Sequence, residues 1–191
     1  MEAILLASLV ATIITWVVRR HWWLTRVRSW SMYPTLHPGD LMITRALHGR
    51  ATVHRGDIVV IDSAELSRRV VKRVIGLPGD TVQITPEGIR INNQPLDEPG
   101  LTGHGGPTRT FHVPVDGYFV LGDNRHRSSD SRAWRNPYPP RLAIRGRLAG
   151  RPLPRSPRIR RAASQPHAPG RLGPGRADFA SLRSRHDRTH D

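Results

Sequence analysis

Short runs of β-branched residues, interspersed with turn-forming clusters, constrain the fold of this chain more than any other feature of its sequence. Such runs are typical of strands, and they are Asp57–Ile61, Val70–Ile75, Thr81–Ile84, Ile89–Ile91 and Tyr118–Leu121. The clusters are Pro38-Gly39-Asp40, Leu77-Pro78-Gly79-Asp80, Pro86-Glu87-Gly88 and Asn92-Asn93. Proline, glycine and asparagine favour turns, and roughly 120 residues suffice for one compact core. The sequence therefore predicts an all-β domain over residues 25–150.

An uncharged, mostly apolar run extends from Ala3 to Val18 and is followed by two arginines. As a helix the run would be about 24 Å long, short of a hydrocarbon core of about 30 Å. Arginine side chains and the interfacial residues Trp16, Trp22 and Trp23 can make up the difference. A cleaved secretory signal is the alternative, but no Lys or Arg precedes the run and no small-x-small site follows it closely. We therefore expect an uncleaved transmembrane anchor in residues 1–24, embedded in a lipid bilayer.

The residues from Arg151 onwards are rich in Pro, Gly, Ser and Arg and contain few large apolar side chains. Because such a composition cannot bury enough surface to fold, residues 151–191 are predicted to form a disordered basic tail. Its ten Arg and three Asp contribute 10 − 3 = +7 of the net charge of +15. A basic membrane-surface or nucleic-acid-binding protein is one function that this charge permits. The sequence has no recognised nucleic-acid motif, however, and no nucleic-acid partner is expected.

A single lysine, Lys72, stands among 30 cationic residues, and the others are all arginines. A lysine amine can be made neutral by burial and then act as a base, whereas an arginine guanidinium keeps its proton. Lys72 lies within the apolar, β-branched run, so we expect its amine to be buried or half-buried. A charge-binding protein would tolerate arginine at this position, and an enzyme that uses the amine would not.

Ser31 is the candidate nucleophile for such a base, in the segment Ser29–Leu36. A serine hydroxyl is too weakly acidic to attack an amide unaided, and a neutral amine is one of the groups that activate it. Taken alone, the segment is also compatible with a strand that enters an ordinary turn. The chain has no cysteine, and its histidines form no metal-binding pair motif, so neither a metal nor a cofactor is expected.

Four sequence boxes follow one another between about residues 29 and 148. They are Ser31-Met32-Tyr33-Pro34-Thr35-Leu36, Gly56-Asp57-Ile58-Val59-Val60, Lys72-Arg73-Val74-Ile75-Gly76-Leu77-Pro78-Gly79-Asp80, and Gly122-Asp123-Asn124-Arg125 with Ser128-Ser129-Asp130-Ser131-Arg132. In order and spacing they resemble the boxes of the type I signal peptidases, membrane-anchored Ser/Lys proteases that remove signal peptides. The resemblance implies an antiparallel β-sheet catalytic domain of signal-peptidase type with one transmembrane helix.

The resemblance also implies roles for individual side chains. Ser31 aligns with the nucleophile and Lys72 with the general base that takes its proton. Ser29 matches a hydroxyl that joins the Ser31 backbone N–H in an oxyanion hole. Ser128 matches a hydroxyl that orients the lysine amine. A supporting ion pair is implied between two residues of the last box, Asp130 and Arg132.

The substrates implied by the resemblance are preproteins with signals of the Ala-x-Ala type. Four positions match residues that line the apolar pockets for the small P1 and P3 side chains. They are Val27, Met32, Leu36 and Val71. Simple core packing accounts for these four side chains equally well.

The last box departs from the usual pattern at Arg127, where the family commonly has asparagine, and His126 precedes it. The Arg127 guanidinium either lowers the pKa of the lysine further by like-charge repulsion or points into water, and we expect the second. A third interpretation is a specialised or impaired paralogue. Among other Ser/Lys proteases, a self-cleaving repressor is disfavoured by the anchor, and a mitochondrial inner-membrane peptidase is disfavoured by the complete last box.

Two arguments disagree about the orientation of the anchor. Glu2 precedes the apolar run, whereas arginines follow it at positions 19, 20, 26 and 28, so the positive-inside rule places the catalytic domain in the cytoplasm. The resemblance implies the extracytoplasmic side, where signal peptides are cleaved. We follow the resemblance and expect a single-pass protein of the cell membrane.

Overall fold

The computed structural model describes residues 1–49, 51–98, 101 and 107–153 of the chain. Within them, one α-helix precedes ten strands in two antiparallel sheets. Helix α1 spans Glu2–His21, and the strands are β1 Trp22–Arg26, β2 Leu41–Ala46, β3 Ile58–Ser63, β4 Arg68–Gly76, β5 Thr81–Thr85, β6 Gly88–Ile91, β7 Gln94–Pro95, β8 Arg109–His112, β9 Phe119–Leu121 and β10 Ile144–Leu153. Single 3₁₀ turns lie at Trp30–Met32 and Arg141–Ala143. The prediction of an all-β domain behind one apolar helix is confirmed.

Helix α1 is longer than the apolar run, and none of its side chains is buried. Its 20 residues correspond to about 30 Å of helix, which matches the thickness of a hydrocarbon core. Arg20 and Trp16 lie together in the last turns, with the guanidinium carbon 5.2 Å from the ring centroid. The helix ends at His21, so that Trp22 and Trp23 begin β1 instead of extending the helix. By length and composition α1 can cross a membrane.

The larger sheet has the strand order β1-β2-β10-β3-β4-β9, and all its neighbouring pairs are antiparallel. Strand β3 covers one side of β4 from Arg68 to Arg73. On the opposite side β9 pairs only with residues 73–76 of β4. In the described part of the chain no strand covers this side between Arg68 and Lys72, so β4 has a free edge there. Strand β1 is the last strand of the sheet and also has a free edge.

The smaller sheet has the order β7-β6-β5-β8 and packs its inner face against the end of β4 and β9. Strand β5 shows the alternation expected of a half-buried strand, with Val82 and Ile84 buried between half-buried neighbours. These side chains join a cluster that includes Ile75, Phe111 and Phe119. A second cluster fills the large sheet around Val59, Ile61, Val74 and Trp134. A third and smaller one consists of Val27, Met32, Leu36 and Met42.

Two of the predicted turns share one construction. Pro38-Gly39-Asp40 and Pro78-Gly79-Asp80 each place glycine at a positive φ, 94° and 86° respectively, which a type II turn with proline in front of it requires. The aspartate carboxylate then accepts the backbone N–H three residues earlier, that of His37 at 2.7 Å and that of Leu77 at 2.6 Å. The second turn joins β4 to β5 and thereby links the two sheets.

All five predicted strand runs are confirmed, with ends that move by one or two residues. Strands β1, β2, β7, β8 and β10 were not predicted. The tryptophans of β1 directly follow the apolar run, β7 has only two residues, and charged residues interrupt the apolar pattern of β2, β8 and β10. Most of the glycine-rich segment from Pro99 to Pro107, which the sequence predicts to be a loop, lies outside the described residues. Strand β10 continues to Leu153, so the first three residues of the predicted tail, 151–153, belong to a strand. Residues 154–191 also lie outside the described residues.

Candidate active site

Ser31 lies in the 3₁₀ turn Trp30–Met32, within the chain segment that leads from β1 to β2. The side chain is 9% exposed, and its Oγ is 3.2 Å from Ser29 Oγ. Two hydrogen bonds from Asn124 attach this turn to another loop: its N–H donates to Ser31 O at 3.0 Å and its Nδ2 to Trp30 O at 3.2 Å. The turn that carries the Ser31 hydroxyl is therefore attached to the loop of Asn124 through two successive carbonyl groups.

Lys72 lies in the middle of β4, opposite Val59 of β3, and only 3% of it is exposed. Burial lowers the pKa of its amine from 10.5 to about 8, because desolvation disfavours the charged form. The charge of Asp130 opposes this shift, and that of Arg68 adds to it. Desolvation prevails, so the amine is partly neutral near physiological pH.

Ser31 and Lys72 line the same groove, which has a volume of about 630 Å³. One wall is formed by β1 and the segment that follows it, and the other by the start of β4. The large sheet must therefore curve until its two free edges face each other across the groove. Of the predicted site residues, the groove brings together Ser29, Ser31, Lys72, Val27, Met32 and Val71.

The four predicted pocket residues do not all line the groove. Val27 and Met32 line it and are also almost fully buried members of the third core cluster, and Val71 packs against that cluster. Leu36 is 1% exposed and belongs to the same cluster, but it does not line the groove. Leu36 packs behind the groove residues Val27 and Met32. The structure therefore favours core packing as the role of Leu36.

Ser128 lies beside the Ser31 turn, and Gly122 lies between them. A methyl group on Gly122 would overlap Ser128 Oγ on one side and Ser31 O on the other, so only glycine fits this position. Ser128 Oγ is buried and has no hydrogen-bond partner. The family resemblance predicts that this hydroxyl orients the Lys72 amine. A bond between this hydroxyl and the amine is thus not formed in the structure, although an unpaired buried hydroxyl is unusual.

The ion pair between Asp130 and Arg132 is present. Arg132 Nε and Nη2 donate to the two oxygens of the Asp130 carboxylate at 2.9 and 3.0 Å, and Asp130 is completely buried. Asp130 Oδ2 also accepts the N–H of Gly122 at 3.0 Å, and Arg132 Nη2 donates to Arg125 O at 2.7 Å. This network closes the loop 122–132 that carries Ser128.

A second ion pair was not predicted from the sequence. Arg73 points away from the groove and donates to both carboxylate oxygens of buried Asp123, from Nε at 2.8 Å and from Nη2 at 2.6 Å. Thr35 Oγ1 donates to the same carboxylate. Because Thr35 follows the candidate nucleophile, Arg73 follows the lysine and Asp123 lies at the start of the loop that carries Ser128, the three side chains join all the segments of the site. The signal in the sequence was the aspartate of the last box, since a buried carboxylate requires a cation or several N–H donors.

Arg127, the residue that departs from the family pattern, is exposed and lines the groove near Ser129. Its neighbour His126 is also exposed. The guanidinium is therefore in contact with water, as the sequence predicts.

Comparison with known proteins places this site in a family context. Residues 1–151 match the family model "Signal peptidase, peptidase S26". Signal peptidase I of Bacillus licheniformis is 43% identical over 121 residues, which are 56% of this chain and 63% of that protein. Signal peptidase I of Leptolyngbya laminosa is 40% identical over 138 residues, which are 65% of this chain and 66% of that protein. The chain thus spans a little over three fifths of the length of the first of these relatives.

A solved structure of a signal peptidase I from Enterococcus faecalis V583 is 32% identical to the chain, with a TM-score of 0.46, and the alignment covers 51% of this chain and 97% of that one. The resemblance seen in the four boxes is confirmed by the family match, which extends over α1, both sheets and the groove. The chain therefore belongs to the signal peptidase family, peptidase S26.

Proposed function

We propose that this protein is a signal peptidase I, a membrane-anchored serine endopeptidase that removes signal peptides from exported preproteins with Ser31 and Lys72 as its catalytic dyad. The observation that carries the proposal is that a serine hydroxyl and a desolvated lysine amine line one groove. Of the described lysines and arginines, only the amine can be neutral near pH 8. Family membership adds independent support.

The chemistry follows from these two groups. Neutral Lys72 Nζ accepts the proton of Ser31 Oγ as the oxygen attacks the scissile carbonyl, and the tetrahedral intermediate collapses to an acyl-enzyme when Lys72 protonates the leaving amine. A water molecule then attacks the ester, again with Lys72 as the base, and the signal peptide leaves with a free carboxylate. Ser29 Oγ and the Ser31 N–H are the proposed donors to the oxyanion, and Ser128 Oγ is free to bond the amine once it carries a proton.

The substrate is proposed to bind as an added strand. The groove lies between two strand edges whose backbone groups have no strand partner in the described structure, and an extended peptide can pair with such edges. Alternate side chains of a strand point to one face, so P1 and P3 both point to the apolar floor formed by Val27, Met32 and Val71. The apolar side chains of this floor suit small apolar P1 and P3 residues, which fits signals of the Ala-x-Ala type.

The two buried ion pairs are proposed to position the dyad. Asp130 with Arg132 and Asp123 with Arg73 connect the loop of Ser128 to the strand of Lys72 and the turn of Ser31. A bidentate guanidinium–carboxylate pair fixes orientation as well as distance. These residues do not touch the reacting atoms, and they support the site.

Helix α1 is proposed to anchor the protein in the cell membrane with the groove on the extracytoplasmic side. Its uncovered apolar side chains and its length suit a bilayer. Ser31 follows the helix end by ten residues, so the groove lies close to the membrane surface, where a signal peptide's cleavage site emerges. By the positive-inside rule, the arginines after the helix favour the opposite orientation. We nevertheless propose the extracytoplasmic side, because signal peptides are cleaved there.

The dyad is tested by two substitutions in the full chain in detergent. Ser31→Ala removes the nucleophile, and Lys72→Arg keeps the charge but removes the base, so each should lower cleavage of an Ala-x-Ala preprotein at least about 10³-fold. Sequencing of the new N-terminus confirms the cleavage site. Arg135→Lys, a conservative exchange at an exposed residue outside the groove, is the matched control and should cleave normally. Lys72→Arg activity within tenfold of the parent would contradict the Ser/Lys mechanism.

The pH dependence of cleavage tests the state of the amine. Because the protonated amine cannot accept the serine proton, kcat/KM for a peptide substrate should be low in acid and rise through an apparent pKa of about 8. An ordinary lysine would place this rise near 10.4. A rate that is flat between pH 6 and pH 10, while the chemical step limits turnover, is incompatible with Lys72 as the base.

The orientation is tested with intact protoplasts. Protease added outside should degrade the catalytic domain, because the proposal places it on the extracytoplasmic side. Lysed protoplasts are the control for intrinsic protease sensitivity. Complete protection in intact protoplasts, with degradation after lysis, would establish the opposite orientation.

A further inference from the structure

The groove of the proposed dyad carries a strong positive charge. Five arginines and no carboxylates are among the residues that line it in the described structure. Arg69 is paired with Asp62, with Nε 2.8 Å from Oδ1, and shares this carboxylate with Arg145. The other four are exposed and form no ion pair within the described residues. We call these four the arginine rim: Arg26, Arg28, Arg68 and Arg127.

Arginines without an ion pair also occur elsewhere among the described residues of the domain; they are Arg45, Arg90, Arg109, Arg135 and Arg141. Other arginines are held by carboxylates, and these are Arg55, Arg73, Arg125, Arg132, Arg145 and Arg147. What distinguishes the rim is its position, because it places four unpaired guanidinium groups around one groove that no carboxylate lines in the described structure. A cleft lined by a single sign of charge focuses the electrostatic field and attracts ligands of the opposite sign.

We propose that the arginine rim selects substrates by charge, and that carboxylate side chains at P2 and P4 favour cleavage while lysine or arginine there disfavours it. The inference rests on the proposed function, because it assumes that the substrate occupies the groove as a peptide strand. When P1 and P3 point to the apolar floor, the two-residue period of a strand turns P2 and P4 outward. The rim arginines lie on both walls of the groove, so the outward side chains meet guanidinium groups from either side.

A peptide explains the rim better than anionic lipid headgroups do. Arg26 and Arg28 follow the anchor and could face the bilayer, but Arg68 belongs to β4 and Arg127 to the loop of Ser128. All four line the same groove as Ser31 and Lys72. The charge of Arg68 also contributes to lowering the pKa of the lysine amine, so this member of the rim lies within electrostatic reach of the proposed dyad.

The test uses the full chain in a neutral detergent and three peptides that differ only at the central residue of Ala-x-Ala, which is Glu, Gln or Lys. At low salt kcat/KM should be roughly tenfold higher for the Glu peptide than for the Lys peptide. The ratio should fall towards one at 1 M salt, since the screening length shrinks from about 30 Å at 0.01 M to about 3 Å. The double substitution Arg68→Gln/Arg127→Gln should reduce the low-salt ratio to about twofold. Arg135→Gln, at an exposed arginine outside the groove, should leave the ratio unchanged.

The outcomes separate this inference from the proposed function. If the Gln peptide is cut in a Ser31-dependent manner but the Glu and Lys peptides differ by less than twofold at low salt, charge selection is wrong and the peptidase assignment stands. If the Gln peptide is not cut at all, both fail. If the rim substitutions leave the ratio intact and change cleavage only in vesicles that contain anionic lipid, the rim serves the membrane, which also overturns the inference.

Discussion

The burial of one amine is the constraint on which the rest of the site depends. A pKa lowered from 10.5 to about 8 corresponds to a cost on the order of 3 kcal/mol for keeping Lys72 charged inside the fold. The unfolded chain binds the proton more tightly, so the stability of the domain rises with pH between about 8 and 10.5. At lower pH the fold carries this cost, and the core packing around Val59 and Val74 has to offset it. The same desolvation that destabilises the domain gives an amine that can lose its proton near pH 8, which an arginine guanidinium cannot do.

The buried ion pairs near Lys72 join the segments of the site, and they leave the amine able to lose its proton. Asp130 and Asp123 are buried carboxylates, but both are engaged by guanidinium groups, of Arg132 and Arg73. A free carboxylate at either place would raise the pKa of the lysine and hold its proton. The ion pairs therefore join three separate chain segments while most of their charge is cancelled locally. Gly122, which must remain without a side chain, lets the Ser31 turn and the Ser128 loop approach each other.

Local features of the sequence could be predicted, and features that depend on distant partners could not. The β-branched run that corresponds to β4 predicted correctly that Lys72 lies in a strand. The Pro-Gly-Asp turns could also be predicted, because the residues that form each turn are adjacent in the sequence. Strand β1 was not predicted, because Trp22 and Trp23 directly follow an apolar run and look like interfacial residues of an anchor. The pairing of Arg73 with Asp123 joins residues 50 positions apart, and the groove arises only when the sheet brings two free edges together. Leu36 shows the same limit, since its apolar side chain fits a pocket wall and a core cluster equally well until packing is known.

The central claim is that folding alone lowers the pKa of the Lys72 amine to about 8, so that the amine is partly neutral near physiological pH. The sequence offers a direct way to measure this pKa. Because Lys72 is the chain's only lysine, protein labelled with ¹³C,¹⁵N-lysine gives one set of side-chain NMR signals. The Ser31→Ala protein in detergent, titrated between pH 5 and pH 12, should show a midpoint of about 8 for the Lys72 side chain, and the same protein in denaturant should show about 10.4. A folded-state midpoint at or above 10 would contradict the account, because the amine would then be protonated whenever the enzyme is expected to act.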